Sequence, residues 1–169
     1  MNSTGSREDM LMHWSLGGSG SLVKDDGGFM ASTREVKFVV TARNPHWQFS
    51  SVTLAAGERA RISASGRWGI VNPSVKGLIG PGGIFSPAGR GFYKPGAPEG
   101  CLLILTGVGE ILNFNSDTDT ITVRMPGPLH FVANDDRTPD FPDQKGFDDN
   151  IGSMTVTIQI TSGLEEERR

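Results

Sequence analysis

Glycine and proline recur so often in this chain that they limit the length of any regular element. The 169 residues include 23 glycines and 10 prolines, and these two residue types mark turns and end helices. Good helix formers are sparse between them, whereas short runs of apolar residues are common. This pattern predicts many short strands joined by turns.

Seven or more short segments have the pattern of β-strands. In the last of them, SMTVTIQIT, apolar and polar residues alternate, so that one face would carry Met154, Val156, Ile158 and Ile160. The segment CLLIL is apolar throughout, as expected of a strand that is buried on both faces. We therefore predict an all-β fold, an antiparallel β-sandwich spanning residues 34–163, followed by a charged tail at 164–169.

Residues 1–33 differ from the rest of the chain in composition. The stretch SLGGSGSLVKDDGG is rich in glycine and serine, as flexible linkers are. We interpret residues 1–33 as an extended arm outside the core, either a disordered tail or a segment that docks on a partner. In the second case its anchoring contacts would be the apolar patch of Met10, Leu11, Met12 and Trp14.

The composition argues against several classes of function. A net charge of −3, without a Lys/Arg cluster among aromatic residues, argues against nucleic-acid binding. Cys101 is the only cysteine, so neither an intrachain disulfide nor a cysteine-based zinc site can form. No apolar run approaches the roughly 20 residues that cross a bilayer. The chain has no serine nucleophile elbow and its three histidines are scattered, so we expect no enzymatic activity.

The first residues lack the basic and apolar regions of a secretory signal. An extracellular or particle-surface location would then need another export route, cell lysis or delivery within a particle. Without such a route, we expect the protein to be cytoplasmic.

The segment from Asn134 to Ser153 is strongly acidic. It carries six aspartates, offset only by Arg137 and Lys145, and carboxylates this close repel one another unless they are solvated, protonated or hold a cation. Without Cys or His, the segment offers only oxygen ligands, which suit Ca²⁺ better than Zn²⁺. It joins two predicted strands at one end of the sandwich, where loops often bind ligands. A solvated acidic loop and a calcium site both remain open.

Several pieces of the sequence match a known family in the same order. They are VTARNPHWQFSSVTLAAGERARISASG, GRW, GPGG, PEGCLLILTGVG and PGPLHFVAND…DDNIGSMTVTI. Through them the chain resembles, from about Val36 to Ile160, the LecA (PA-IL) family of calcium-dependent galactophilic lectins. The resemblance implies a jelly roll like that of galactose-binding domains, with a Ca²⁺ site that also binds the sugar.

The resemblance also implies a set of metal ligands. Asp135 and Asp149 would give carboxylates to Ca²⁺, and Asn150 would give its side-chain oxygen. Main-chain carbonyls would come from Gly146 and from Val71, with Ile70 as the alternative to the latter. Two vicinal sugar hydroxyls would complete the coordination, with Asp135, Asp149 and Asn150 also contacting the sugar.

Two departures from the family pattern bear on the sugar. The acidic loop is several residues longer here. The galactophilic type also has a His-Pro-x-x-Gln segment that reaches the outer hydroxyls, and in its place this chain has at best Ser86 and Pro87, within IFSPAGRGFYKPG. The metal site is therefore better supported by the sequence than galactose specificity.

Two functions from different classes follow. The first is a non-catalytic domain that binds galactose-type glycans through Ca²⁺, with avidity from several copies in a homo-oligomer or larger assembly. The second is a structural or decoration subunit of a virion or other large particle. That subunit would be anchored by the N-terminal arm, and Ca²⁺ would only make the sandwich rigid.

Overall fold

The structure is a computed structural model that describes residues 21–24, 30–70, 77–138 and 145–162. In these ranges the chain forms nine strands and one short 3₁₀ helix at Gly146–Asp149, and no helix there is long and apolar enough to cross a membrane. The strands are β1 (Ser21–Lys24), β2 (Met30–Thr41), β3 (Gln48–Leu54), β4 (Glu58–Gly69), β5 (Leu102–Leu105), β6 (Ile111–Asn113), β7 (Thr120–Val123), β8 (Gly127–Ala133) and β9 (Ile151–Ser162).

These strands form two antiparallel sheets. The five-stranded sheet has the order β1-β2-β9-β4-β7, and the four-stranded sheet has the order β3-β8-β5-β6. Buried apolar side chains from both sheets form one core. The prediction of an all-β, antiparallel sandwich is therefore confirmed.

The core follows the predicted strand faces. In β9 the four apolar residues that alternate with polar ones are each at most 1% exposed: Met154, Val156, Ile158 and Ile160. The apolar run around β5 is buried on both faces from Cys101 to Ile104. Burial raises the pKa of the Cys101 thiol to about 12, so this cysteine stays protonated and packs as a small apolar residue.

The five-stranded sheet begins earlier in the chain than the sequence indicated. Strand β2 starts at Met30, and β1 pairs with it from Ser21 opposite Thr33 to Lys24 opposite Met30. Backbone pairing of this kind does not require apolar side chains, so the composition of the segment conceals it. The predicted boundary at residue 33 thus falls inside β2. Other parts of the arm and tail lie outside the described residues, including Met10, Leu11, Met12 and Trp14.

The connection between β8 and β9 crosses one end of the sandwich, because these two strands belong to different sheets. Asp135 follows β8, and Asn150 immediately precedes β9. At the same end, Gly69 in β4 pairs with the first residue of β9. Ala42, which follows β2, donates its N–H to the carbonyl oxygen of Gly152 (3.1 Å). The ends of four strands therefore meet around the acidic segment.

Candidate functional site

Asp135 is a buried carboxylate, only 4% exposed. Its Oδ1 accepts a hydrogen bond from the backbone N–H of Asp136 (2.7 Å), and its Oδ2 accepts one from the side-chain amide of Asn150 (2.7 Å). Burial raises the pKa of this carboxyl from 3.8 to about 6; the two hydrogen bonds lower the pKa, and the charges of Asp149 and Asp136 raise it. No described Lys, Arg or His forms an ion pair with it. A bound cation would stabilise this buried charge.

Asn150 is 1% exposed and has one polar atom that is not paired. Its Nδ2 donates to Oδ2 of Asp135 and to the carbonyl oxygen of Ala42 (3.1 Å). Since both of these partners only accept hydrogen bonds at those atoms, they determine which way the amide points. The Oδ1 is buried without a hydrogen-bond partner among the described residues. Such an oxygen costs about 1–3 kcal/mol when left unpaired, and it is a suitable ligand for a hard cation.

The 3₁₀ helix Gly146–Asp149 brings the second predicted carboxylate to this pair. Phe147 anchors the helix, since its side chain is 5% exposed and belongs to the apolar core. Its carbonyl oxygen also accepts the N–H of Asn150 (3.4 Å). Asp149, half-buried, lies near enough for its charge to raise the pKa of Asp135. Gly146 begins the helix with a φ of 50°, a backbone conformation that favours glycine.

The oxygen atoms of these three side chains are of the chemical type that Ca²⁺ prefers as ligands. Asp135, Asp149 and Asn150 contribute two carboxylates and one unpaired amide oxygen, and Ca²⁺ takes about six to eight such oxygen ligands. In the described ranges no three His, Cys, Asp or Glu side chains form a group that could hold a metal. The remaining ligands would have to be carbonyl, amide or sugar oxygens. The predicted ligand Val71 lies outside the described residues, just beyond Ile70.

A second buried asparagine, Asn134, immediately precedes Asp135 in the chain. Asn134, 0% exposed, accepts the backbone N–H of Lys94 at its Oδ1 (2.9 Å) and donates from Nδ2 to the carbonyls of Lys94 and Pro98 (both 3.1 Å). These bonds connect the end of β8 to the long β4–β5 connection. They hold that connection against the end of β8. The sequence pattern contained this Asn-Asp pair but gave Asn134 no role.

A cleft of about 420 Å³ is lined by one predicted ligand, Gly146, and by Asp136 and Asp148, the chain neighbours of Asp135 and Asp149. Tyr93, the only tyrosine of the chain, lines the same cleft. Its ring packs edge-on against Trp47, with 5.1 Å between the ring centroids, and its hydroxyl donates to the carbonyl oxygen of Pro45. An aromatic wall beside polar groups is a common feature of ligand sites.

The two residues predicted to contact the outer sugar hydroxyls, Ser86 and Pro87, lie away from the lining of this cleft. Ser86 and Pro87 are exposed in the β4–β5 connection, where Ser86 accepts the N–H of Glu99 (2.9 Å) and Pro87 forms a bridge with Pro98. Neither residue lines the cleft. Tyr93, from the same stretch IFSPAGRGFYKPG, does. The family pattern indicated Ser86 and Pro87 in this stretch and gave Tyr93 no role.

Comparisons with known proteins give similarity to solved structures. No protein-family model matches the chain. No curated protein sequence matches it either. Among solved structures, the chain is similar to the EclA N-terminal domain, described as a PllA-like lectin, with a TM-score of 0.46 and 25% sequence identity over 73% of this chain and 93% of that one. This similarity is too low for a function to be transferred, so function is inferred below from the residues of the site.

Proposed function

We propose that this protein is a non-catalytic domain that binds carbohydrate through Ca²⁺. The observation that carries the proposal is the buried Oδ1 of Asn150, which has no described hydrogen-bond partner and lies in the side chain that bonds to the carboxylate of Asp135. An unpaired oxygen beside a buried, charged oxygen is what a hard cation needs and what a folded protein otherwise avoids.

The residues around the proposed ion each have a separate task. Asn150 holds Asp135 in place through Nδ2 while its Oδ1 faces the ion. Asp135 and Asp149 neutralise the charge of the ion and accept hydrogen bonds from sugar hydroxyls. When bound, Ca²⁺ supplies coordination positions that two vicinal hydroxyls of a sugar take in place of water.

The cleft supports a saccharide rather than a bare structural ion. It is lined both by Gly146, which is itself a predicted ligand, and by Tyr93, so a sugar bound at the ion would extend toward an aromatic side chain. The sequence resemblance favours galactose or another sugar with suitable vicinal hydroxyls. A monosaccharide makes few contacts here, so we expect weak binding at one site and useful avidity only from several copies.

Calorimetry with Ca²⁺ on the metal-stripped protein tests the metal site. We expect binding to the wild type, and no detectable binding to Asp135→Ala or Asp149→Ala. Asp119→Ala is the matched control, because Asp119 is an exposed aspartate in the β6–β7 connection, outside the proposed ligands. Unchanged affinity in both ligand variants, with folding verified by circular dichroism, would refute the calcium site.

A glycan array tests the saccharide. The array is probed once with Ca²⁺ and once with EDTA, using the wild type and Asp135→Ala. We expect signals that disappear in EDTA and in the variant. Signals that persist in EDTA would contradict recognition through the metal.

A further inference from the structure

Two cationic side chains line the cleft beside the proposed calcium site, Arg137 and Lys145. Neither of them forms an ion pair with a described carboxylate, although Asp136 and Asp148 line the same cleft. The Oδ1 of Asp136 accepts the backbone N–H of Thr138 instead (2.9 Å). Positive charge is therefore available to a ligand in the cleft.

Arg137 is exposed, and two contacts position its guanidinium group. Its guanidinium carbon lies 4.8 Å from the centroid of the Tyr93 ring, and its Nε donates to the carbonyl oxygen of Gly91 (3.4 Å). The backbone N–H of Arg137 donates to that same oxygen (3.1 Å). Stacking and the Nε bond leave the two terminal nitrogens without a bond to any described residue. A guanidinium held in this way can donate two parallel hydrogen bonds to a planar anion.

The support of Arg137 is connected to the metal ligands. Tyr93, on which it stacks, also packs edge-on against Phe147, with 6.1 Å between the ring centroids. Phe147 belongs to the same 3₁₀ helix as Asp149. Gly91 lies so close to Asp136 that a Cβ at Gly91 would overlap the carboxylate. Arg137 and the calcium ligands are thus positioned by one set of packed residues.

We propose that the glycan recognised here is acidic. Its carboxylate or sulfate group binds the terminal nitrogens of Arg137, Lys145 adds favourable charge, and its vicinal hydroxyls bind on the calcium side. This proposal rests on the proposed function and adds the substrate class to it. A neutral sugar would leave the donors of Arg137 without a ligand partner, so the site distinguishes acidic from neutral sugars.

Matched saccharides test the proposal in the presence of Ca²⁺. The probes are the methyl glycosides of galactose and galacturonic acid, those of glucose and glucuronic acid, and galactose 6-sulfate, all titrated by calorimetry or ligand-observed NMR. We expect at least one acidic probe to bind about tenfold more tightly than its neutral partner, because a charge-assisted hydrogen bond contributes that much. The uronic acids and the sulfate ester show separately which anionic group is preferred.

Variants assign the preference to Arg137. Arg137→Gln should bring the acidic-to-neutral affinity ratio close to one. Arg137→Lys keeps the charge but loses the planar pair of hydrogen-bond donors, so it should retain part of the preference for acidic sugars. Arg90→Gln is the control, since Arg90 is exposed in the same β4–β5 connection and does not line the cleft. It should leave the ratio unchanged.

The failures of the two proposals are distinguishable. Calcium-dependent binding with equal affinity for acidic and neutral probes would overturn the acidic preference and leave the lectin function standing. A preference that survives in Arg137→Gln or falls equally in Arg90→Gln would also overturn it. Lack of binding by every probe at millimolar concentration would overturn both proposals.

Discussion

Two buried asparagines, Asn134 and Asn150, lie at the two ends of the connection between β8 and β9. Asn134 has both its side-chain oxygen and its side-chain nitrogen paired with backbone groups of Lys94 and Pro98. Asn150 pairs only its nitrogen, with Asp135 and Ala42, and leaves its oxygen unpaired. Both are at most 1% exposed. The same residue type is therefore fully paired in one place, and in the other it keeps an unpaired oxygen that we propose binds the ion.

This difference teaches where to look for function in a fold of this kind. A paired buried amide adds stability and determines a backbone position. An amide with one unpaired atom reduces stability until a ligand completes it. Three experiments challenge this contrast, in order of decreasing expected effect.

The largest effect is expected from Asn134→Ala. The substitution leaves the N–H and the carbonyl of Lys94 and the carbonyl of Pro98 without their partner, so we expect the free energy of unfolding to fall by about 3 kcal/mol or more. Urea denaturation, with and without Ca²⁺, measures it. The loss should be the same in both conditions. A loss below about 1 kcal/mol would show that Asn134 is not the structural member of the pair.

The stabilisation by Ca²⁺ should differ between variants of the two asparagines. At about a hundredfold excess of Ca²⁺ over its dissociation constant, the wild type should gain about 2.7 kcal/mol in free energy of unfolding. Folded Asn134→Ala should show the same gain, and Asn150→Ala should show none. In EDTA, Asn150→Ala should lose only about 1 kcal/mol, because the two lost hydrogen bonds are offset by removal of the unpaired oxygen. An equal calcium gain in Asn150→Ala would contradict its assigned role.

The smallest effect is the pH dependence that Asp135 gives to the site without metal. The pKa of this carboxyl is about 6 in the folded protein, against an ordinary value of 3.8 for aspartate, so the folded state binds the proton more tightly than the unfolded chain. Its contribution to stability is complete below about pH 4 and is lost as the pH rises through about 6, by on the order of 2 kcal/mol.

Denaturation in EDTA between about pH 4 and pH 7 measures this contribution, with Asp135→Asn as the non-titrating reference. The difference in stability between wild type and variant should shift against the wild type as the pH rises. In the wild type, Ca²⁺ affinity should fall as the pH drops through about 6, since a proton then competes for Asp135. A stability difference that does not change with pH would show that the carboxyl is not held in a buried, charged state.

The sequence predicted those parts of the fold that depend on local patterns. Alternation in β9 placed Met154 and its partners on the buried face, and the apolar run around Leu103 predicted a strand buried on both faces. It did not predict β1, because a short edge strand in Gly/Ser-rich surroundings has no side-chain period to detect.

The site was less predictable than the fold. Asp135, Asp149 and Asn150 were identified through a family resemblance, and the structure brings Asp135 and Asn150 into contact. The cleft depends on contacts between residues far apart in sequence, such as Arg137 with Tyr93. No local pattern encodes such a contact, so the sequence indicated Ser86 and Pro87 in this stretch and not Tyr93, which lines the cleft.

The proposed ligands also join the two layers of the sandwich. Asp135 follows β8 of the four-stranded sheet, and Asn150 immediately precedes β9, which lies at the centre of the five-stranded sheet between β2 and β4. An ion bound by both residues would link the two sheets. A mechanical force applied to a bound glycan, for example by flowing liquid, would then be transmitted to both sheets. Part of it would act along the length of β9, and the force would not act on a single loop alone.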